Sequence, residues 1–502
     1  MTDRVTGWLP RPPADSVSGM TRRKMTLATL AVFGVIVATG AAASAAPAFH
    51  VTWSPCEGSP ATECGTMAVP LDWAHPRGPT ETVAVARHRA EDPAHRIGTL
   101  FFNPGGPSDS ETEYIRSAEE FFPAEVRRRF DIVGVDPRGF GQNEPIRCGM
   151  PALTAEGTLW PRTEAQFNEL VRHNRALAQS CLELSGDRVR HVDTISVVRD
   201  HEAMRRALGV RQVSWLGLSY GTQLAANYAA LFPGRTRSMV LDAALEHSLP
   251  EVHQVAGEAA AAEDSFNRFV AWCPTSPTCV LRGHDVAAEF DRLVAAADER
   301  PIPVEGALRA VTGEDIRMGT KGTLRMKEPS IFGDDLSWAA LSRSLRNAMA
   351  GDASAFAFPE NLPQHGIWTL LANACMDYVP QVRTWGEMQQ RLELGKQIAP
   401  HLQGASETWQ ALYCIGWPIK ATNPPHTLHV SGTPALVVQA AHDPSIHYSW
   451  AHGLAAQIDG SAMLTRTGDG HTSWWNSPCS RAAMVAHLLR PGATPPNRTC
   501  DE

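Results

Sequence analysis

The chain is expected to fold as an α/β domain: a mostly parallel sheet flanked by helices, with a large, mainly helical segment inserted before a late strand. Three observations point that way. Short apolar, β-leaning runs alternate with helical periodicity over residues 46–245, the pattern of a parallel sheet covered on both faces. The alternation breaks over 246–425, where helical stretches and loops dominate, and resumes over 426–502. Within it, Gly217-Leu-Ser219-Tyr-Gly221 sets a serine between two glycines at a junction of strand and helix.

The first 45 residues read as a targeting segment. Thr21-Arg-Arg-Lys24 supplies positive charge, Met25 to Thr39 an apolar run, and Ala43-Ser-Ala45 a small-residue cleavage site, so a signal peptide over 1–45 is expected. The paired arginines leave twin-arginine export open beside the general secretory route. The run to Ala43 is nearly long enough for a retained anchor, and no other segment could cross a bilayer. The expected product is secreted, without stable membrane association after cleavage.

Strands are expected near 81–87, 98–102, 131–135, 213–218 and 238–242 in the first part of the core. The insertion, in the place of a cap over an active site, should be helical over Ala259–Trp272 and near 335–350 and 384–396. The C-terminal part restores strands at Pro434–Ala441 and Ala462–Thr465 and a helix over Ser480–Leu489, before a proline-rich tail.

Val213–Leu216 is a β-leaning run, and Thr222 to Phe232 is helical, with Leu224, Tyr228, Leu231 and Phe232 on one face and Pro233-Gly234 as a stop. Strand, sharp turn and helix make the nucleophile elbow of the α/β-hydrolase fold, in which the flanking glycines let a serine hold a strained backbone with its hydroxyl exposed. A serine hydroxyl is a weak nucleophile and needs a base and an acid, which follow in the chain order Ser, Asp, His. Asp443 stands at the C-terminal end of the Pro434–Ala441 run, and His471 lies in the glycine-flanked loop Gly468-Asp-Gly-His471. The assignment is Ser219 as nucleophile, His471 as general base and Asp443 orienting the imidazole. Asp242, at the end of Ser238–Leu241, is the rival acid, and His442, His447 and His452 crowd the Asp443 loop. The oxyanion hole should come from Asn103-Pro-Gly-Gly-Pro107 after the 98–102 strand. Pro107 has no N–H, so Gly105 or Gly106 would donate, joined by Tyr220.

Asn-Pro-Gly-Gly-Pro at 103–107, Asp136-Pro-Arg-Gly-Phe-Gly141, Gly-Leu-Ser-Tyr-Gly-Thr at 217–222 and Gly-Asp-Gly-His at 468–471 resemble the secreted tripeptidyl aminopeptidases of actinomycetes, serine α/β-hydrolases of the prolyl-aminopeptidase clan. Val69-Pro-Leu-Asp-Trp73 and Arg199-Asp200 extend the resemblance, which covers essentially the whole mature chain. It implies an exopeptidase releasing di- or tripeptides from free N-termini. Two departures weaken transfer of substrate preference: Ser108-Asp109 stands where members usually have a glycine after Gly-Gly-Pro, and Asp443-Pro-Ser-Ile-His447 where they read Asp-x-Val-Thr-Pro. An esterase or amidase acting on a small molecule is the alternative, since one triad cleaves both bond types. An aminopeptidase must hold an ammonium, which calls for pocket carboxylates. Asp377 and Asp109 are the candidates carried forward, with Glu111 and Glu113 beside the oxyanion loop.

Composition suits one large enzyme: 502 residues, 43% hydrophobic and 20% charged, with a net charge of −8. No basic stripe appears, so nucleic acid is not an expected partner; the partner is a peptide or small-molecule substrate, and oligomeric state is left open. Ten cysteines in an exported chain suggest disulfides. Cys56/Cys64, Cys273/Cys279 and Cys479/Cys500 are near in sequence and pair naturally. Sequence does not fix the rest, for which Cys148/Cys181 and Cys375/Cys414 is one arrangement. No clustered Cys/His spacing suggests a metal site, and no cofactor is expected.

Overall fold

The structure, a computed structural model, describes residues 49–329, 336–361, 364–404, 412–492 and 498–501. The signal-peptide reading of 1–45 lies outside them. The described residues supply β1 (Ser54–Cys56), β2 (Ser59–Pro70), β3 (Thr80–His88), β4 (Gly98–Asn103) and β5 (Phe130–Val135) before the serine. β6 (Val213–Leu218), β7 (Thr236–Asp242), β8 (Ala435–His442), β9 (Ala462–Asp469) and β10 (Arg498–Cys500) complete one sheet in the order β1-β2-β3-β5-β4-β6-β7-β8-β9-β10. β1, β2 and β3 pair antiparallel, as does β3 with β5; every pairing from β5 to β10 is parallel.

The parallel strands are apolar because both faces are covered. Along β6 the pleat sends Trp215 to one face and Leu216 and Leu218 to the other. Trp215 packs with Phe101, Val133, Leu241, Val437 and helices Thr194–Ala207, Tyr220–Leu231 and Tyr448–Ala456. Leu216 and Leu218 pack with Phe102, Val240, Val438 and the helix Pro478–Leu489. This is the three-layer sandwich expected from the alternation.

Between β7 and β8 the described residues add no strand to the sheet. They form helices Glu251–Trp272, Val286–Glu299, Gly313–Thr323, Trp338–Met349, Gln364–Asp377 and Trp385–Ile398. One apolar cluster here is self-contained, around Phe266, Phe269, Phe290 and Trp338. A second is shared: Leu371, Met376 and Ile415 pack with Ile146, Phe167 and Leu177, the last two from the helix Glu164–Ser185 before β6. The helical layer thus draws on the β5–β6 connection as well as the 246–425 segment.

Five disulfides join Cys56–Cys64, Cys148–Cys181, Cys273–Cys279, Cys375–Cys414 and Cys479–Cys500, leaving no free cysteine. These include the arrangement of the remaining four cysteines that the sequence left open. Cys375–Cys414 lies inside the shared cluster, as does Cys148–Cys181.

Candidate active site

β4, β6, β7, β8 and β9 run parallel, so their C-terminal ends share one edge of the sheet, where open α/β sheets gather reactive groups. Ser219 follows β6 with φ 53° and ψ −120°, a conformation costing a residue with a Cβ about 1–3 kcal/mol. The surrounding backbone holds it: Ser219 N–H donates to Asp242 O (2.8 Å), and Ser219 C=O accepts Thr222 N–H (2.9 Å) and its hydroxyl (2.6 Å). The flanking glycines are required by approach. A Cβ on Gly217 would lie 2.3 Å from Gly221 O, and one on Gly221 2.5 Å from Asn103 O.

His471 and Asp443 meet. His471 Nδ1 lies 2.9 Å from both carboxyl oxygens of Asp443, which also accepts the N–H groups of Ser445 (2.8 Å) and Ile446 (3.0 Å). Burial opposes the charge on Asp443, but His471 and these two N–H groups outweigh it and hold the carboxyl below its usual range. The rival Asp242 is also buried, and its oxygens take the N–H groups of Ser473 (2.9 and 2.7 Å) and Trp474 (2.6 Å). Burial raises it to about 6. Asp242 thereby anchors the turn after His471, while Asp443 holds the ring. The other histidines have separate partners: His442 pairs with Asp264 (2.7 Å), His447 caps the helix at Ser449, and His452 packs on Tyr448.

The oxyanion loop stands against the serine: a Cβ on Gly105 would be 2.9 Å from Ser219 Cβ and 3.6 Å from its Oγ. One expected donor needs correcting. Gly105 N–H already donates to Asn103 Oδ1 (3.0 Å), which leaves Gly106 N–H and Tyr220 N–H as the pair available to an oxyanion. Asn103 Nδ2 in turn donates to Glu111 Oε1 (2.6 Å), and Glu111 Oε2 accepts Val135 N–H (2.8 Å). Glu111 is fully buried and braces this loop, so it does not meet substrate.

Asp109 keeps solvent contact but lies among enough protein that burial raises its carboxyl; Arg325 and His471 pull it the other way. Asp377 requires a second correction. It has no exposed surface, and its oxygens accept Thr194 N–H (3.0 Å), Thr194 Oγ1–H (2.5 Å) and Asn423 Nδ2–H (2.8 Å). A carboxylate so enclosed presents no face to a substrate ammonium.

The helical layer contributes residues that sequence reading did not single out. Arg325 C=O accepts His471 N–H (2.8 Å), and Arg325 Nε donates to Ser445 Oγ (3.2 Å). Lys327 Nζ (2.8 Å) and Arg268 Nε both pair with Asp469, two residues before His471. Burial works against the Asp469 charge, yet these cations keep its carboxyl below the usual range. Burial lowers both Arg325 and Lys321 from their usual values, and Glu258, half-buried on Glu251–Trp272, offsets part of that. None sits in a motif, and the contacts of Arg325, Lys327 and Arg268 with the His471 and Asp443 loops span more than a hundred residues of sequence. Among the described residues no group of His, Cys, Asp and Glu could hold a metal.

The α/β-hydrolase fold model matches residues 98–478. The chain belongs to the α/β-hydrolase fold family. Curated relatives include the serine protease Hip1 of Mycobacterium tuberculosis (strain ATCC 25618 / H37Rv), 29% identical with 89% of this chain and 90% of the relative covered. The tripeptidyl aminopeptidase of Streptomyces lividans is 28% identical, with 90% and 87% covered. Carboxylesterase B of Mycobacterium tuberculosis (strain ATCC 25618 / H37Rv) is 29% identical, with 86% and 85% covered. The resemblance read from the motifs thus extends along the chain, and with the site geometry it makes this α/β-hydrolase a serine hydrolase.

Proposed function

We propose that this hydrolase is an exported aminopeptidase that releases di- or tripeptides from free N-termini through an acyl-enzyme on Ser219. One observation carries the chemistry: a buried Asp443 holds His471 Nδ1 at 2.9 Å on the sheet edge where the strained Ser219 packs against the Gly105 loop. Ser219 Oγ attacks the scissile carbonyl as His471 Nε2 takes its proton, and Asp443 stabilises the imidazolium. Gly106 and Tyr220 N–H groups receive the developing oxyanion. His471 then protonates the leaving amine and the C–N bond breaks. A water, deprotonated by His471, attacks the acyl-enzyme, releasing the short peptide as a carboxylate and restoring the serine.

The peptide substrate is supported by the names of the relatives, a serine protease and a tripeptidyl aminopeptidase. The 246–425 segment acts as a cap, because Arg325 reaches both His471 and the acid loop. Asp109, exposed beside the oxyanion loop, is the carboxylate proposed to meet the ammonium. Export fits five disulfides and the targeting pattern of the first 45 residues; among the described residues no helix is long and apolar enough to cross a membrane. An esterase is the second reading, favoured by Carboxylesterase B being as similar as the protease and by Ser108-Asp109 beside the oxyanion loop.

A fluorophosphonate probe should label wild type and not Ser219→Ala, whose turnover should fall by about 10⁴–10⁶. A free tripeptide anilide should be cleaved at least about tenfold faster than its N-acetyl twin, since acetylation removes a charge-assisted hydrogen bond. Equal rates, or activity confined to p-nitrophenyl esters, would move the assignment to the esterase.

A further inference from the structure

We infer that Asp377 is a positioning residue for the oxyanion hole, acting through Thr194 on Tyr220. The inference rests on the reading of Ser219 as nucleophile and Tyr220 N–H as oxyanion donor. Its basis is a continuous buried chain of hydrogen bonds from the helical layer to the residue after the nucleophile. Asp377 ends the helix Gln364–Asp377, and Thr194 begins the helix Thr194–Ala207. The carboxylate accepts both the backbone N–H and the hydroxyl of Thr194. Thr194 Oγ1 lies 2.7 Å from the Tyr220 phenol oxygen.

Proton bookkeeping along this chain is directional. Thr194 Oγ1 donates to Asp377 Oδ2 and accepts from the Tyr220 phenol, an order that holds in the ionised form of a carboxyl raised by burial to about 7. Asn423 Nδ2 fixes the carboxylate from the far side at 2.8 Å, and Gln223 Nε2 donates to Thr194 Oγ1 at 3.4 Å. The Tyr220 ring therefore has a tethered outer end. Its inner end is the first residue of the helix Tyr220–Leu231, directly after the strained φ of Ser219. A ring fixed at both ends limits rotation of the Ser219–Tyr220 peptide, whose N–H must point at the oxyanion. Oxyanion donors contribute through orientation set before the reaction, so a phenol released from Thr194 costs transition-state binding rather than substrate binding.

A structural contact alone would move stability and leave the balance of kcat and KM untouched. An ammonium-binding Asp377 would act on KM for free N-termini only. The experiment measures kcat and KM of wild type, Asp377→Asn, Thr194→Val and Tyr220→Phe on a free tripeptide anilide and a p-nitrophenyl ester. Each substitution should lower kcat about tenfold on both substrates, less than the 10²–10³ of losing a donor outright, with KM within about twofold. A peptidyl trifluoromethyl ketone, which forms its oxyanion on Ser219, should lose affinity by the same factor as kcat/KM. The Asp377→Asn/Thr194→Val pair should be no worse than its weaker member, because both break one chain. Tyr220→Phe removes a single oxygen and keeps the test open should Asp377→Asn fail to fold. A raised KM on free peptides with kcat intact, or unchanged kcat in Tyr220→Phe, would overturn the positioning role. Fluorophosphonate labelling of each variant separates the two levels. Label on Ser219 with unchanged kcat defeats the Asp377 inference alone, whereas absence of label from wild-type Ser219 defeats the nucleophile reading and the inference with it.

Discussion

Asp443 and Asp242 end neighbouring parallel strands and are both buried, yet their donors give them different work. Asp443 receives an imidazole, Asp242 three contacts from the backbone N–H groups of Ser473 and Trp474. Asp443→Asn should lower kcat by about 10⁴, because an amide admits the wrong tautomer of His471, while melting stays close to wild type. Asp242→Asn should instead lose about 1–3 kcal/mol of stability, since its amide NH₂ would face backbone donors. Thermal melts beside kcat for both variants decide the matter, and a dead Asp242→Asn with an active Asp443→Asn would reverse the assignment. At this scale the sequence was readable where chain order and strand ends carry the information, as for Ser219, Asp443 and His471. It was unreadable where a partner lies far away. The donor to Asp377, Thr194, is 183 residues distant, and no local pattern marks a carboxylate whose oxygens are filled that way. The choice between Gly105 and Gly106 stayed open for a subtler reason: the competing acceptor for Gly105 N–H is a side chain two residues back, which only the folded loop brings round.

β9 leads into a loop clamped by the helical layer, and this clamp carries a prediction about elements. Asp469 is nearly without exposed side chain, whereas Arg268 and Lys327 keep 38% and 37% of theirs. Each ion pair alone is screened by solvent, so Arg268→Ala or Lys327→Ala should cost about 1 kcal/mol or less. Asp469→Asn releases both ties from the residue two before His471, and kcat should fall about five- to tenfold through misplacement of the ring. Amide hydrogen exchange over 468–472 should quicken in parallel; an unchanged kcat would show that Arg325 C=O and Asp443 position His471 unaided. The elements themselves were legible in proportion to their burial. β4, β6, β7 and β8 are apolar runs because both their faces are covered, and these were expected within about two residues. The β1–β2 pair and β10 were not. Ser59–Pro70 holds two prolines, a glycine and several polar residues, and it is a strand because β1 and β3 pair with it and Cys56–Cys64 closes the turn. β10 is three residues, placed by Cys479–Cys500 beside β9. Its strand character comes from a covalent tie and a neighbour, neither of which propensity records.

The whole molecule combines a covalently braced helical layer with buried carboxyls in both layers that favour acid. Cys148–Cys181 and Cys375–Cys414 close loops of 33 and 39 residues inside one apolar cluster, worth about 4 kcal/mol each on the chain-entropy account. No cysteine of the native protein should alkylate without reductant, and Cys375→Ala/Cys414→Ala should lower the melting temperature more than Cys273→Ala/Cys279→Ala, whose loop spans 6. Stability should also depend on pH in a set direction. Burial raises Asp377 to about 7, with Asp193 adding repulsion, and raises Asp136 and Asp242 to about 6. In the unfolded chain these carboxyls titrate near about 4. Between pH 4 and 7 the folded protein therefore binds more protons than the unfolded one, so this contribution is fully present below about pH 4 and is lost as pH rises through 6 and 7. Asp443 and Asp469 act oppositely, because their folded carboxyls are held low and their contribution disappears only as pH falls through that lower range. From pH 5 to 7.5 the raised group governs the slope, and the melting temperature should decline. Asp377→Asn removes the group raised furthest and should flatten the decline above pH 6 while leaving the acid limb unchanged. A melting temperature that climbs steadily from pH 5 to 7.5 would mean that these three carboxyls ionise in the folded protein as they do in water.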